Sequence, residues 1–425
     1  VKILVLSNLY PPDVIGGYEL GCKQAVDALR GRDHDVRVLT IAPRTPIHSE
    51  PHVLRQFKAS EVWYSNRYVL GRSHAVTTRL MQAEATIISA FNVHVLTEAI
   101  ADFEPDVIYA WMLVGVGGLG LMAAVQHLGI PWVWHLMDDV PVALCRLDGR
   151  VVDPLLREFA RQLDGDYISC SRILVDEIEA GGIKLRPRVD VVTNWVVGEP
   201  LAPRSHFYQP GERLRIVNAG QMAPHKGVGV LIEAAALLRE QGHEEFVIDL
   251  YGDVEDQQFP TLVRTLGLEN HVLFQGARSH PELARLYPRY DLFAFPTWAR
   301  EPFGFAPLEA AWTGCVPLIS QACGIAEWLV HGVHCLKAER SPQAFAQAIA
   351  GVIDGSIDLE PLAHRAAAVV DRDFHIDAQV PKIEAVLTRA LERPRKPGGS
   401  AADAYRMALL AEKLTKVLVQ EAISA

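Results

Sequence analysis

The carboxylates Glu301 and Glu309 flank a short run of small and aromatic residues, Pro302-Phe-Gly-Phe-Ala-Pro-Leu308, and that spacing suits a polyhydroxylated anion. Pro307 fits the first turn of a helix, where its missing N–H removes no bond. Gly304 and Ala306 put little side chain before the free N–H groups of that turn, so a phosphate can approach them. The two carboxylates would then accept hydrogen bonds from hydroxyls on either side, as a molecule with sugars at both ends of a diphosphate requires. A cation stands elsewhere in the chain: in Gly220-Gln-Met-Ala-Pro-His-Lys226-Gly227, Lys226 is expected to open a helix after the loop. A lysine at the positive end of a helix dipole is unfavourable without an anion beside it. The alternative is an exposed lysine, the common fate of this residue type.

The elements that must position these groups are strand-like apolar runs alternating with helical patterns, the signature of parallel α/β architecture. One set covers 2–7, 34–41, 106–111, 131–136, 165–169 and 188–193. A second begins at Leu214 and continues through Phe246–Leu250, His271–Phe274, Asp291–Phe295 and Val316–Ile319. Between them Gly198 to Gly211 is punctuated by proline and glycine, as linkers are. The expected division is 1–200, 212–373 and a C-terminal segment 374–425. In that segment Phe374 to Leu391 and Ala401 to Glu421 read as helices.

A chain of 425 residues, nearly half of them apolar, exceeds what one core usually supports. Its formal charge of −10 argues against general nucleic-acid binding. The six cysteines form no C-x-x-C pair, so a disulfide framework is not expected. The opening apolar run is too short for a signal-peptide core, which favours the cytoplasm. Val107 to Met137 carries no charged side chain, yet its glycines and Pro131 break it into strand, loop, helix and strand rather than a membrane span. Within it Gly115-Val-Gly-Gly-Leu-Gly120 matches the dinucleotide fingerprint, with Asp138 and Asp139 downstream. A dehydrogenase would follow from it; the opposing reading is that these glycines allow close packing, since several elements precede the motif.

The segment from Glu301 to Glu309, continuing through Gly314-Cys-Val-Pro317, Gly324-Ile-Ala-Glu327 and Gly332, resembles the donor site of retaining glycosyltransferases of family four. Gly220 to Gly227 is similar to that family's phosphate loop, and Lys2 to Pro12 with Gly16-Gly17 to its first strand and glycine loop. The resemblance implies the GT-B fold, two Rossmann-like domains facing across a cleft, with a C-terminal helix crossing back to the first. It implies transfer of a sugar from a nucleotide-diphosphate sugar, a UDP-hexose by preference, to a glycan, lipid-linked or small-molecule acceptor. Anomeric configuration would be retained and neither metal nor cofactor needed. In these terms Glu301, Lys226 and His135 are the catalytic candidates: Glu301 on donor-sugar hydroxyls, Lys226 on the diphosphate, His135 near a strand end. Glu309 would hold the ribose, while Gly16, Gly17, Gln221, Phe303, Gly304, Phe305, Ala306, Asp138 and Arg278 would line the substrates. Met137 competes with His135 for the family's histidine position, and a packed core histidine is the other reading of His135.

Three positions depart from the family: Gln221 replaces the arginine that usually follows the glycine, Cys323 a second glycine, and Trp195 the glycine after Asn194. Gln221 keeps open a weakened partner subunit beside the active transferase, and a phosphorolytic enzyme of the same fold is a further alternative. Asp33-His-Asp35 and Asp371-Arg-Asp373 spell metal-binding pairs but fall at expected turns and helix ends, so they read as surface charge. Arg55 to Arg79, basic and aromatic, could meet a lipid phosphate or anionic glycan at the inner face of the plasma membrane, or be a solvated insertion.

Overall fold

The computed structural model describes residues 1–43, 50–59, 87–146, 152–199, 204, 206–254, 257–393 and 398–424. These residues form two compact units. One comprises Val1–Cys170, Leu174–Val192 and Val380–Ala425; the other comprises Ser171–Ile173 and Thr193–Gln379. The chain therefore returns to the first unit through its C-terminal helices.

The first unit is built on β1 (Lys2–Leu6), β2 (Asp35–Ile41), β3 (Val53–Phe57), β4 (Val107–Ala110), β5 (Trp132–Leu136), β6 (Asp166–Ser169) and β7 (Val189–Val191). They pair in parallel in the order β3-β2-β1-β4-β5-β6-β7. Such sheets need helices on both faces, which is why β4 and β5 are buried at every position. The order reverses between β1 and β4, and loops that follow those strands occupy the switch point where open α/β sheets take ligands.

The second unit carries β8 (Leu214–Ala219), β9 (Phe246–Tyr251), β10 (Val272–Phe274), β11 (Leu292–Phe295), β12 (Val316–Ser320) and β13 (Leu336–Ala338). Their order is β10-β9-β8-β11-β12-β13, again parallel, with the reversal between β8 and β11. Leu231, Ile232, Ala235 and Leu238 of the helix Val228–Glu240 pack with Phe345 and Ile349 of the helix Pro342–Ile353 into one apolar core with Ile216, Ile248 and Leu292.

The C-terminal helices Ile376–Leu391 and Ala401–Ser424 match the expected positions closely. Ile383, Val386, Leu387 and Ala390 are buried, and Glu384 meets Arg32 at 2.7 Å and His34 at 3.0 Å in the first unit. Farther on, Glu412 accepts the Ala90 N–H at 2.7 Å.

Val107 to Met137 is a buried strand, helix and strand, as expected, with the helix running Gly118–His127. Among the described residues no helix is long and apolar enough to cross a membrane. Gly117, Gly118 and Gly120 of the fingerprint-like motif face protein. A Cβ on Gly117 would meet the Ser89 nitrogen at 2.4 Å, and one on Gly120 would meet the Ile88 side chain at 2.4 Å. Gly117 and Gly120 are small because the segment at Ile88-Ser89 presses on them. Asp371 accepts the Trp312 indole N–H at 3.1 Å and Asp373 pairs with Arg372 at 2.5 Å, while Asp33 stands in a turn at φ 65°. Of the basic and aromatic stretch from Arg55 to Arg79, residues 60–79 lie outside the described residues.

Candidate active site

The loop after β8 and the loop after β11 leave neighbouring strands at the switch point of the second sheet. Lys226 comes from the first loop and Glu301 from the second, and the lysine Nζ donates to Glu301 Oε2 at 2.5 Å. Thr297 Oγ1 donates to the same oxygen at 3.0 Å. Glu301 is buried, and its own carbonyl accepts the Gly324 N–H at 2.9 Å, which anchors the loop to the one after β12. A buried carboxylate needs such partners, because an unpaired charge taken out of water costs several kcal/mol.

Lys226 does not open the helix, contrary to the sequence pattern. It ends a short 3-10 turn, Pro224–Lys226, and Gly227 at φ +80° then redirects the chain into the helix Val228–Glu240. A Cβ on Gly227 would lie 1.9 Å from the Pro296 carbonyl oxygen, so close approach of the two loops demands glycine there. Arg340, a residue the sequence patterns did not single out, braces them. Its guanidinium donates to Pro296 O at 3.0 Å from one loop and Pro224 O at 2.7 Å from the other. His225 packs against Trp298 with ring centroids 4.7 Å apart and planes tilted by 43°, and burial, followed by the Lys226 charge, holds its pKa below the ordinary value.

The loops after β8, β9 and β10 are stitched by backbone bonds from Gly220 N to Tyr251 O at 3.0 Å and Gly252 N to Gly276 O at 3.2 Å. Gln221 is exposed on this edge. Arg278 is exposed too, with its guanidinium 5.9 Å from the Tyr251 ring. Gly304 adopts φ +99°, a conformation that suits glycine, and leads into the short helix Ala306–Trp312 with Pro307 in its first turn. Phe305 and Ala306 are half-buried at that turn. Phe303 is not a lining side chain: its ring is 1% exposed and packs against Phe374, so only its backbone could face a ligand. Glu309 lies in the same first turn and accepts from His280 Nε2. That bond is the main reason the His280 pKa is raised.

The first unit gathers the remaining candidates. Gly16 caps the helix Gly17–Arg30, where the Glu19 carboxylate accepts the Gly16 N–H at 2.9 Å and the Ile15 N–H at 3.2 Å. Space beyond Gly16 is open, since an added Cβ would meet nothing within 4 Å. Asp138 is exposed after β5 and caps the Asp139 N–H at 2.8 Å. His135 requires a correction. It is fully buried, 4.2 Å from the Trp111 ring, with Nδ1 2.6 Å from the Tyr109 hydroxyl. Burial lowers its pKa to about 3, which favours the neutral ring, and its surroundings are those of a core histidine. Strand β5 is covered on both faces, which a polar residue near its end did not reveal in sequence.

Two family models cover most of the chain, "Glycosyl transferase 4-like domain" over residues 16–195 and "Glycosyl transferases group 1" over residues 205–368. An uncharacterized glycosyltransferase of Methanocaldococcus jannaschii is 25% identical over 79% of this chain and 84% of its own length. Glycogen synthase of Mycobacterium tuberculosis is 27% identical over 88% of this chain and 91% of that protein. Among solved structures, sucrose-phosphate synthase of Thermosynechococcus elongatus superposes with a TM-score of 0.69 at 17% identity, over 91% of this chain and 98% of that one. Anabaena HepE, solved with UDP and glucose, gives a TM-score of 0.63 at 20% identity, over 91% of this chain and 99% of that one. Likeness at that level of identity speaks for the shared fold.

Proposed function

The chain belongs to the group 1 glycosyl transferases and has the GT-B fold, and from that premise we propose that it is a retaining, metal-independent hexosyltransferase with a UDP-sugar as donor. Its acceptor would be a glycan, a lipid-linked sugar or a small molecule. The observation that carries the reading is the Lys226, Glu301 and Thr297 cluster at the switch point of the second sheet. When the glycosidic phosphate bond breaks, negative charge grows on the leaving diphosphate, and a preorganised cation there lowers the barrier. Lys226 supplies it. Glu301 holds the lysine in place without ligand and turns its carboxylate to the hydroxyls of the donor sugar. Glu309 takes the ribose.

Retention requires the acceptor oxygen to bond to the anomeric carbon from the face the diphosphate leaves. On this path the acceptor proton passes to the departing phosphate oxygen, so no side-chain nucleophile and no histidine base is needed, in keeping with a buried His135. Gln221 supports a second reading. It is exposed on the same edge but carries no charge, which suits a catalytically weakened partner subunit. The test is a panel of UDP-, GDP- and ADP-hexoses in EDTA, followed by proton NMR of the freed sugar before it mutarotates. The α-anomer from an α-linked donor is expected. Release of the β-anomer, or release only after Mg²⁺ or Mn²⁺ is restored, would overturn the proposal; binding without release would favour the subunit.

A further inference from the structure

Glu309 is the carboxylate to which the proposed function gives the ribose, yet it is already engaged. His280, the first residue of the helix His280–Leu286, directs Nε2 at Glu309 Oε1. The Glu309 side chain is 12% exposed, whereas the imidazole is 44% exposed, so the histidine stands on the solvent side of the carboxylate it holds. Its position is fixed from its own helix as well. Ser279 and Glu282 form a capping box there, with the Ser279 N–H donating to Glu282 Oε2 at 2.8 Å. That box ties Glu282 to Ser279 and leaves the histidine's bond to Glu309.

A carboxylate with both oxygens free can rotate and accept hydroxyls in several geometries. One whose Oε1 is taken by a ring N–H has a set plane, and Oε2 is the oxygen left to a ligand. Such orientation matters because a site built to hydrogen-bond a hydroxyl discriminates strongly against a ligand that lacks it. Resting on the assignment of Glu309 to the ribose, we propose that His280 is a positioning residue for nucleoside recognition, setting the Glu309 carboxylate so that the site selects ribonucleotides over deoxyribonucleotides.

The probe is whichever of UDP, GDP and ADP binds the wild type most tightly, compared by calorimetry with its 2′-deoxy and 3′-deoxy forms. His280→Ala should weaken the ribonucleotide about 3- to 10-fold and bring the ribo-to-deoxy ratio towards one, with the deoxy affinities little changed. His280→Gln, which keeps an N–H donor, should recover most of the ratio, a rescue that general loosening of the helix would not give. Glu309→Ala should collapse the ratio outright. If Glu309→Ala collapses it and His280→Ala does not, the role of His280 is overturned while the ribose assignment stands. If Glu309→Ala leaves the ratio intact, both fall.

Discussion

At the scale of single residues, burial has opposite meanings for Glu301, whose charge is paired with Lys226, and for His135, which sits among aromatic rings of the core. Glu301 is buried with two partners on one oxygen, so Glu301→Gln keeps the shape but removes the charge that holds Lys226. The variant should lose kcat roughly 10- to 100-fold with a smaller change in nucleotide affinity, measured by donor hydrolysis and calorimetry on the same preparation. His135 has a different consequence. Its folded pKa of about 3 lies below the unfolded value, so the unfolded chain takes up a proton first as pH falls. Its contribution to stability is complete above about pH 6.5 and is lost between there and pH 3, amounting to about 2 kcal/mol by pH 5. Urea unfolding from pH 7 to 5 should show that slope in the wild type and a shallower one in His135→Gln. Equal slopes would mean that the imidazole is protonated in the folded protein.

Elements explain why part of this architecture was legible in the sequence and part was not. Strands such as Leu292–Phe295 and Val316–Ser320 are buried at every position, so their apolar runs are unbroken and easily read. The sheet-edge strand Val53–Phe57 carries Arg55 and Gln56, and Leu336–Ala338 has only three residues, so neither showed such a run. In the candidate site, Glu301 and Lys226 stand out in the sequence because small residues mark their loops, and Glu309 because it follows such a loop into a helix turn. Arg340 and His280 do not, because their partners lie far along the chain and only the sheet order brings them close. Arg340 donates to carbonyls of both site loops, so Arg340→Ala should raise the donor KM several-fold while lowering thermal stability little, the guanidinium being exposed. Gly227→Ala should be the more damaging change. It forces a side chain to φ +80° and against the Pro296 carbonyl, a destabilisation on the order of 1–3 kcal/mol from the backbone alone, visible as a lowered denaturation midpoint.

Across the whole molecule, the C-terminal helices are part of the first unit and not an appendage. Val380, Ile383, Val386, Leu387 and Ala390 are buried, the four larger ones at roughly 1.5–3 kcal/mol each, which together rivals the stability of a typical domain. Ending the chain at Gln379 should therefore abolish amide protection in β1, β4 and β5 while leaving β8, β9 and β11 protected in hydrogen exchange. The central claim rests on the second unit alone, because the Lys226, Glu301 and Thr297 cluster proposed to neutralise the leaving group lies wholly within it. The most direct test is the release of nucleoside diphosphate from the best-bound nucleotide-sugar, in EDTA, by wild type and Lys226→Ala. The account predicts measurable release by the wild type and a fall of about 10²- to 10³-fold in the variant, with donor binding retained within roughly tenfold. Release that is unchanged in Lys226→Ala would contradict it.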